Sequence, residues 1–326
     1  MSTNFINAVD ERTKLAGANK MEVLLFSLGI DQVSGKEEVF GINVFKVREV
    51  MHMPDITRAP DMPDSVEGMV SLRGNVTPVI NLTKFCKVVE PEPDPEMETG
   101  KILIVAEYNK HVIGFLVNSV DRIQRLDWED VKMPPRVIAN RMGGLVTAVT
   151  KLENGPLVMI LDVERVLSEV ADLYDTAETF ENIEIMSEPG KHTILFADDS
   201  QVARTQVATT LEKMGIKAIS AVNGHQAWER LQKFADLAEQ NEIQITHYVS
   251  CVITDVEMPE MDGYVLTRKI KEDSRTASLP VIMHSSLSAD ANQLLGKSVG
   301  VDAYVPKFQP IELSHKICEI LNQKTD

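Results

Sequence analysis

Cys251-Val252-Ile253-Thr254-Asp255-Val256-Glu257-Met258-Pro259 opens as a short apolar run rich in β-branched residues and turns polar at a carboxylate. Such a run reads as a buried strand of a parallel sheet. Met258-Pro259 and Asp262-Gly263 then break the pattern. An Asp at the carboxyl end of a buried parallel strand faces the crevice where open α/β sheets bind ligands. Three more segments share this shape. Thr193–Ala197 runs into Asp198-Asp199, Pro280–His284 ends on Ser285-Ser286, and Ala303–Pro306 ends on Lys307. The four strand ends carry an acid pair, a single acid, a hydroxyl and an amine.

Asp198, Asp199 and Asp255 gathered in one crevice would repel one another, because like carboxylates resist common ionisation. A hard divalent cation removes that repulsion. Mg²⁺ suits the set, since it takes few carboxylates, keeps waters and completes its shell with phosphate oxygens. Lys307 would balance phosphate charge, and Ser285 would donate a hydrogen bond to a phosphoryl oxygen. These parts suit phosphoryl transfer to a carboxylate, with Asp255 as nucleophile.

Helical patterns alternate with the strands: Ser200–Met214, Gly224–Ala238, Tyr264–Glu272, Ala289–Ser298 and Pro310–Gln323, with a further strand at Ala218–Ala221. The alternation implies right-handed βαβ units and a parallel sheet. Residues 192–323 resemble a two-component receiver domain. The resemblance implies a flavodoxin-like (βα)5 fold with a five-stranded parallel sheet. It makes Asp198-Asp199 the acidic pair, Asp255 the phosphoacceptor, Ser285 the switch hydroxyl and Lys307 the invariant lysine. Tyr304 matches the aromatic whose rotamer follows phosphorylation, and Glu257 offers the metal its backbone carbonyl. One position departs from the pattern: Phe308 stands where the family carries proline, often after a cis bond, while Pro306 precedes the lysine. A cis bond before a non-proline residue is costly, so the Lys307-Phe308 loop is expected to differ.

The chain has 326 residues, 44% hydrophobic, and a net charge of −16. That length favours two or more domains. The acidity argues against nucleic-acid binding by bulk electrostatics. Cys86, Cys251 and Cys318 stand far apart with no CxxC pair, which reads as a reduced, cytoplasmic protein. The first twenty residues lack the apolar core of a signal peptide, and no run has the length of a membrane span.

The first half has another texture. Short strands are expected at Val23–Gly29, Val39–Ile42, Val66–Leu72, Thr77–Leu82, Lys101–Glu107, His111–Val117, Val120–Leu126, Gly143–Val149 and Leu157–Leu161. Arg73-Gly74-Asn75 marks a hairpin turn, Glu90–Glu96 an acidic proline-rich loop, and Asp162 the cap of a closing helix. Many short strands with regular turns mean an all-β barrel or a pair of barrels. The half holds no nucleophile-and-base pair and no metal-ligand spacing. Phe26-Ser27-Leu28, Phe40-Gly41-Ile42, Gly68–Gly74, Pro78–Leu82 and Gly114–Val117 resemble the CheW coupling family over residues 18–170. That resemblance implies two SH3-like barrels that bridge chemoreceptor tips to the histidine kinase CheA, with Arg73 at a partner contact. Asn81 departs from it, standing where that family usually has Asp.

The two halves together resemble the CheV type, a CheW-like domain fused to a receiver. The expected domains are a tail at 1–17, a coupling domain at 18–170, an acidic linker at 171–191 and a receiver at 192–323. The implied function is a cytoplasmic chemotaxis adaptor, clustered at receptor arrays, coupling receptors to CheA under control of phosphorylation at Asp255. It takes a phosphoryl group without being a turnover enzyme, and needs no nucleic acid or membrane insertion. One rival is a phosphate sink. Another is an Mg²⁺-dependent hydrolase with an Asp nucleophile, for which Glu257 would be the second acid. Each residue also has a plainer reading. Asp198 would be a helix cap, Ser286 would replace Ser285, and Tyr304 and Trp228 would be core aromatics. His284 would be a strand residue, Arg73 a hairpin-tip charge, and the methionines core fillers, with an exposed groove as the alternative for Met51 and Met53.

Overall fold

The computed structural model describes residues 20–30, 37–58, 62–86, 88, 101–108, 111–141, 145–152, 155–169, 180, 182–285 and 299–322. The chain divides into two compact units. One comprises residues 21–126 and 133–166; the other contains residues 167–326 together with 127–132.

The first unit is built on strands β1 (Lys20–Ile30), β2 (Glu37–Asn43), β3 (Val47–His52), β4 (Val66–Leu72) and β5 (Asn75–Asn81), then the short helix α1 (Leu82–Phe85). Strands β6 (Ile102–Tyr108), β7 (His111–Val117) and β8 (Ser119–Asp127), helix α2 (Arg136–Arg141), strands β9 (Val146–Lys151) and β10 (Leu157–Leu161) and helix α3 (Val163–Glu169) follow. They form two five-stranded sheets, ordered β8-β1-β2-β10-β9 and β3-β6-β7-β5-β4. The double five-stranded all-β architecture matches the expectation. The chain leaves the first sheet after β2, builds the whole second sheet from five consecutive strands, and returns. The return is sealed by β10, which pairs parallel to β2 with Val158 beside Val39.

Alternation sets the faces. Along β4, Val66, Gly68 and Val70 are buried and the residues between them are not, as a period of two requires. The β4–β5 turn has two central residues, Arg73 and Gly74, with φ of 49° and 86°. Two positive φ values in succession are what a two-residue hairpin of matching twist needs, and glycine meets that at its position without penalty. Arg73 tolerates it while its guanidinium donates to Glu49 Oε2 at 2.7 Å. Asp162 caps α3 by accepting from Arg165 N at 3.0 Å. Met51 and Met53 are partly buried against Val70, Val79, Leu103, Val105 and Leu116. They extend this core.

Asn81 has a specific job. Its Oδ1 accepts from Lys84 N at 3.1 Å and caps α1, while its Nδ2 donates to Glu67 Oε1 at 2.8 Å. Lys84 Nζ reaches the same Glu67 oxygen at 2.6 Å. Burial alone pushes the Glu67 carboxyl up, but the bonds from Lys84 and Asn81 outweigh it and hold it below its ordinary range. An aspartate could still cap the helix, yet would set a second carboxylate against Glu67.

The second unit has strands β11 (Thr193–Ala197), β12 (Lys217–Ala221), β13 (Cys251–Thr254), β14 (Val281–Ser285) and β15 (Ala303–Pro306). Helices α4 (Gln201–Lys213), α5 (Gly224–Gln240), α6 (Gly263–Glu272) and α7 (Pro310–Asn322) join them. The sheet order is β12-β11-β13-β14-β15, with every pairing parallel. This is the expected flavodoxin-like sheet. Its two faces follow the strand alternation: Ile194, Phe196 and Ile253 pack with Val207, Leu211, Leu313 and Ile317. Leu195, Ala197 and Val252 pack with Leu231, Leu266 and Ile270 on the other side. Trp228 is partly buried against this second core. Within the stretch expected as acidic linker, Met186 is buried in the first of these cores and Gly190 N donates to Gly215 O at 2.7 Å.

The expected tail at 1–17, the Glu90–Glu96 loop, the helix at Ala289–Ser298 and Ser286 lie outside the described residues, as does most of 171–181. Among the described residues no helix is long and apolar enough to cross a membrane.

Replacing Asn81 with Asp is expected to lower the unfolding free energy by about 1–3 kcal/mol at pH 7, the usual cost of a buried polar pair turned against itself. The deficit should shrink as pH falls through the carboxylate range, when one of the two acids takes a proton. Urea midpoints at pH 7 and pH 4 for both proteins check this.

Candidate functional site

The site is a product of register. Ala197 of β11 lies beside Thr254 of β13, so the next residues, Asp198 and Asp255, leave the sheet side by side. Asp199 joins them, and one carboxylate oxygen from each of the three lies within 4.8 Å of the others. Asp198 and Asp255 are buried and Asp199 is partly buried. From the end of β15, Lys307 enters the same place, 1% exposed. Its Nζ is 2.8 Å from Asp198 Oδ2 and 2.9 Å from Asp255 Oδ2. Three carboxylates against one ammonium leave two formal negative charges in a largely buried space. A single divalent cation with oxygen preference fits that deficit. All four residues that the sequence assigned to the acid-and-lysine set are therefore brought together.

The second carboxylate oxygens are oriented by backbone. Asp198 Oδ1 accepts from Ser200 N at 2.9 Å, and Asp255 Oδ1 accepts from Val256 N at 2.7 Å. Ser200 is the residue that caps α4, accepting from Ala203 N. The plain reading of Asp198 as a helix cap is thus replaced. The three main-chain carbonyls have their own donors. Arg204 Nη1 donates to Asp198 O and to Asp199 O, each at 2.8 Å. Thr254 Oγ1 donates to Asp255 O at 2.9 Å. Gly263 opens α6 so close to that strand end that an added Cβ would sit 2.0 Å from Asp255 O. No other residue type fits there without moving the backbone that carries Asp255.

Ser285 ends β14, is buried, and its carbonyl accepts from Lys307 N at 3.0 Å. This sets the loop that delivers the lysine. His284 is a buried strand residue. Glu257 follows Asp255 by two positions and is partly buried. Tyr304 is half-buried, and its hydroxyl donates to the hydroxyl of Tyr264 at 3.2 Å. Tyr264 is 1% exposed in the first turn of α6 and packs with Val256, the neighbour of Asp255. Burial pushes the Tyr264 phenol far above its ordinary range, and the nearby carboxylates of Asp262 and Glu257 add to it. Burial also raises Tyr304. Arg73 belongs to the first unit and has no part in this site.

Two further groups adjoin these residues in the chain. Asp262 caps α6, accepting from Val265 N at 2.7 Å, and burial pushes its carboxyl up to about 6. Phe308, directly after Lys307, has φ of 61°. A left-handed backbone costs a non-glycine residue roughly 1–2 kcal/mol. The expected difference in this loop is therefore visible as a left-handed aromatic residue where the family places proline. Arg204 and Tyr264 are not legible in the sequence as neighbours of the site. Arg204 reads as one polar position of an amphipathic helix, and Tyr264 as a residue that merely starts one.

The chain matches the CheW-like domain family over residues 22–171 and the response regulator receiver domain family over residues 194–318. Chemotaxis protein CheV3 of Helicobacter pylori is 32% identical over 307 residues, 94% of this chain and 96% of that protein. Chemotaxis protein CheV2 of the same organism is 28% identical over 331 residues, 97% of this chain and 100% of that protein. Chemotaxis protein CheW of Klebsiella aerogenes is 27% identical over 157 residues, 48% of this chain and 87% of that protein.

Two substitutions test this geometry. Phe308→Pro forces φ to about −65°, so the loop must rebuild; stability should fall by about 2 kcal/mol or more, whereas Phe308→Gly should stay within about 1 kcal/mol of wild type. Equal melting curves for all three proteins would show that the loop accepts either backbone. For Asp262, the folded pKa of about 6 lies above that of an unfolded aspartate. The folded protein therefore holds the extra proton, and this contribution to stability is lost as pH rises through about 6. Asp262→Asn keeps the cap and removes the titration. The variant should gain stability relative to wild type between pH 4 and 7, read from urea midpoints across that range.

Proposed function

The chain belongs to the CheV family of chemotaxis proteins, a CheW-like domain followed by a receiver domain, and on that premise we propose that Asp255 is its phosphoacceptor. The single observation that carries this reading is the buried ammonium of Lys307 shared between Asp198 and Asp255, with Asp199 beside them. In the proposed step an Asp255 carboxylate oxygen forms a bond to phosphorus. The phosphorus–nitrogen bond of a phosphohistidine on the kinase CheA breaks, and the departing imidazole nitrogen takes a proton from solvent.

The chain's own groups position and neutralise. Lys307 and the hydroxyl of Ser285 hold the phosphoryl oxygens. Asp199 and Asp255 would hold Mg²⁺ directly, Asp198 through water, and Glu257 through its backbone carbonyl. When bound, Mg²⁺ supplies charge neutralisation between the acids and the incoming phosphoryl oxygens. Burial of Asp198, Asp255 and Lys307 strengthens each of these interactions by keeping water from screening them.

Phosphorylation takes Lys307 away from one carboxylate and gives it a phosphoryl group. The expected readout is a shift between two receiver conformations, followed by the Tyr304 ring. The first unit, taken as a coupling domain at 18–170 joined by a linker at 171–191 to the receiver at 192–323, would dock on chemoreceptor tips and CheA. Arg73 is proposed at that contact; its exposed guanidinium and its hold on Glu49 support the placement. The setting is cytoplasmic, at receptor arrays, and the protein acts as a regulated adaptor rather than as a turnover enzyme.

Phosphoryl transfer from radiolabelled CheA to the chain with Mg²⁺, beside Asp255→Asn, tests the assignment. Wild type should label to one phosphoryl per chain, and the variant should fall to background. Steady release of phosphate over many turnovers would replace the reading with a hydrolase. If the variant couples receptor to kinase identically at every phosphorylation level, the receiver is a phosphate sink and not a regulator.

A further inference from the structure

Asp198 and Asp199 lie between the end of β11 and the first turn of α4, outside both regular elements. Two adjacent carboxylates that face one point, with a third close by, repel. A dipeptide left to itself would relieve that repulsion by rotating one peptide unit and carrying one acid away. Asp198 is held at both carboxylate oxygens, by Ser200 N and by Lys307. The peptide units themselves are held from behind. One nitrogen of Arg204, Nη1, donates to the carbonyl of Asp198 and to that of Asp199, both at 2.8 Å. Arg204 is in turn anchored in α4, its N–H donating to Ser200 O at 3.0 Å. The guanidinium touches the backbone of the acid pair and leaves the carboxylates turned to the crevice.

We propose that Arg204 is a positioning residue for the cation site, clamping the Asp198-Asp199 main chain so that both carboxylates meet Asp255. The proposal rests on the reading of these acids as an Mg²⁺ site. It has a sign that a purely electrostatic role lacks. A fixed cation near a cation site weakens binding through its charge, so removing it would tighten Mg²⁺ binding if charge were all that mattered. If the clamp matters, removing it loosens Mg²⁺ binding.

The test uses the full chain as wild type, Arg204→Gln and Arg204→Lys. The Mg²⁺ dissociation constant is measured by calorimetric titration, beside the metal-free melting temperature and phosphoryl labelling at Asp255. Arg204→Gln should weaken Mg²⁺ binding by about 10-fold or more, the range in which groups that orient metal ligands act. Arg204→Lys should recover part of the loss, since a single ammonium can donate to both carbonyls but sits on a shorter, more flexible stem. A dissociation constant for Arg204→Gln that is unchanged or lower overturns the proposal, including where only the metal-free melting temperature falls. If Arg204→Gln does not fold, Arg204→Lys decides, and a change under about twofold counts against the clamp. Wild type that labels at Asp255 while Arg204→Gln binds Mg²⁺ normally sinks the clamp alone. Wild type that neither binds Mg²⁺ nor labels sinks the site reading with it.

Discussion

A buried ammonium needs a counter-charge, and this one has two. Desolvating Lys307 costs several kcal/mol unless excellent geometry offsets it, and two carboxylates at 2.8 and 2.9 Å provide that geometry. The demand runs outward through the second unit. Asp198 and Asp255 face the lysine together only because β11 and β13 are adjacent, parallel and in the register that sets Ala197 beside Thr254. Lys307 reaches them only because β15 closes the opposite edge in the order β12-β11-β13-β14-β15. Sheet order, register and loop conformation are all fixed at one nitrogen atom.

That dependence explains what could be read in advance. Apolar runs ending abruptly on Asp198-Asp199, Asp255, Ser285 and Lys307 gave both the strands and the chemistry, since a parallel sheet places all its strand ends on one rim. The helix expected from Ser200 was also legible, since Ser200 has a definite use as a cap. The features that stayed hidden are contacts between groups far apart along the chain or ambiguous in type. The hydroxyl pair of Tyr264 and Tyr304 spans forty positions, and an aromatic residue at a helix start announces only bulk. Arg204 lies close in sequence to the acids, but nothing in a helical pattern says that its guanidinium folds back on carbonyls. The helix cap role open to Asp198 in the sequence is filled by Ser200, two residues on.

In the first unit, legibility followed alternation. Strands with one buried face and clear turns fell where their patterns put them. The register between the two ends of the domain, with β10 parallel to β2, has no local signature. The substitution of Asn81 in a motif that usually ends in Asp becomes intelligible only beside Glu67. An amide can cap a helix with its oxygen and satisfy a carboxylate with its nitrogen, which a second carboxylate cannot do.

The path of the chain through that unit also orders its assembly in time. The sheet of β3 to β7 is contiguous in sequence, so its closure entropy is small, whereas the other sheet needs β1 and β2 to wait for strands more than a hundred residues later. On the ribosome the β1–β2 hairpin emerges with two open edges; β8 later covers the β1 edge, and only the arrival of Leu157–Leu161 covers the β2 edge. The interval between those events is when this protein is most exposed to wrong strand partners, and it ends before the receiver has been made.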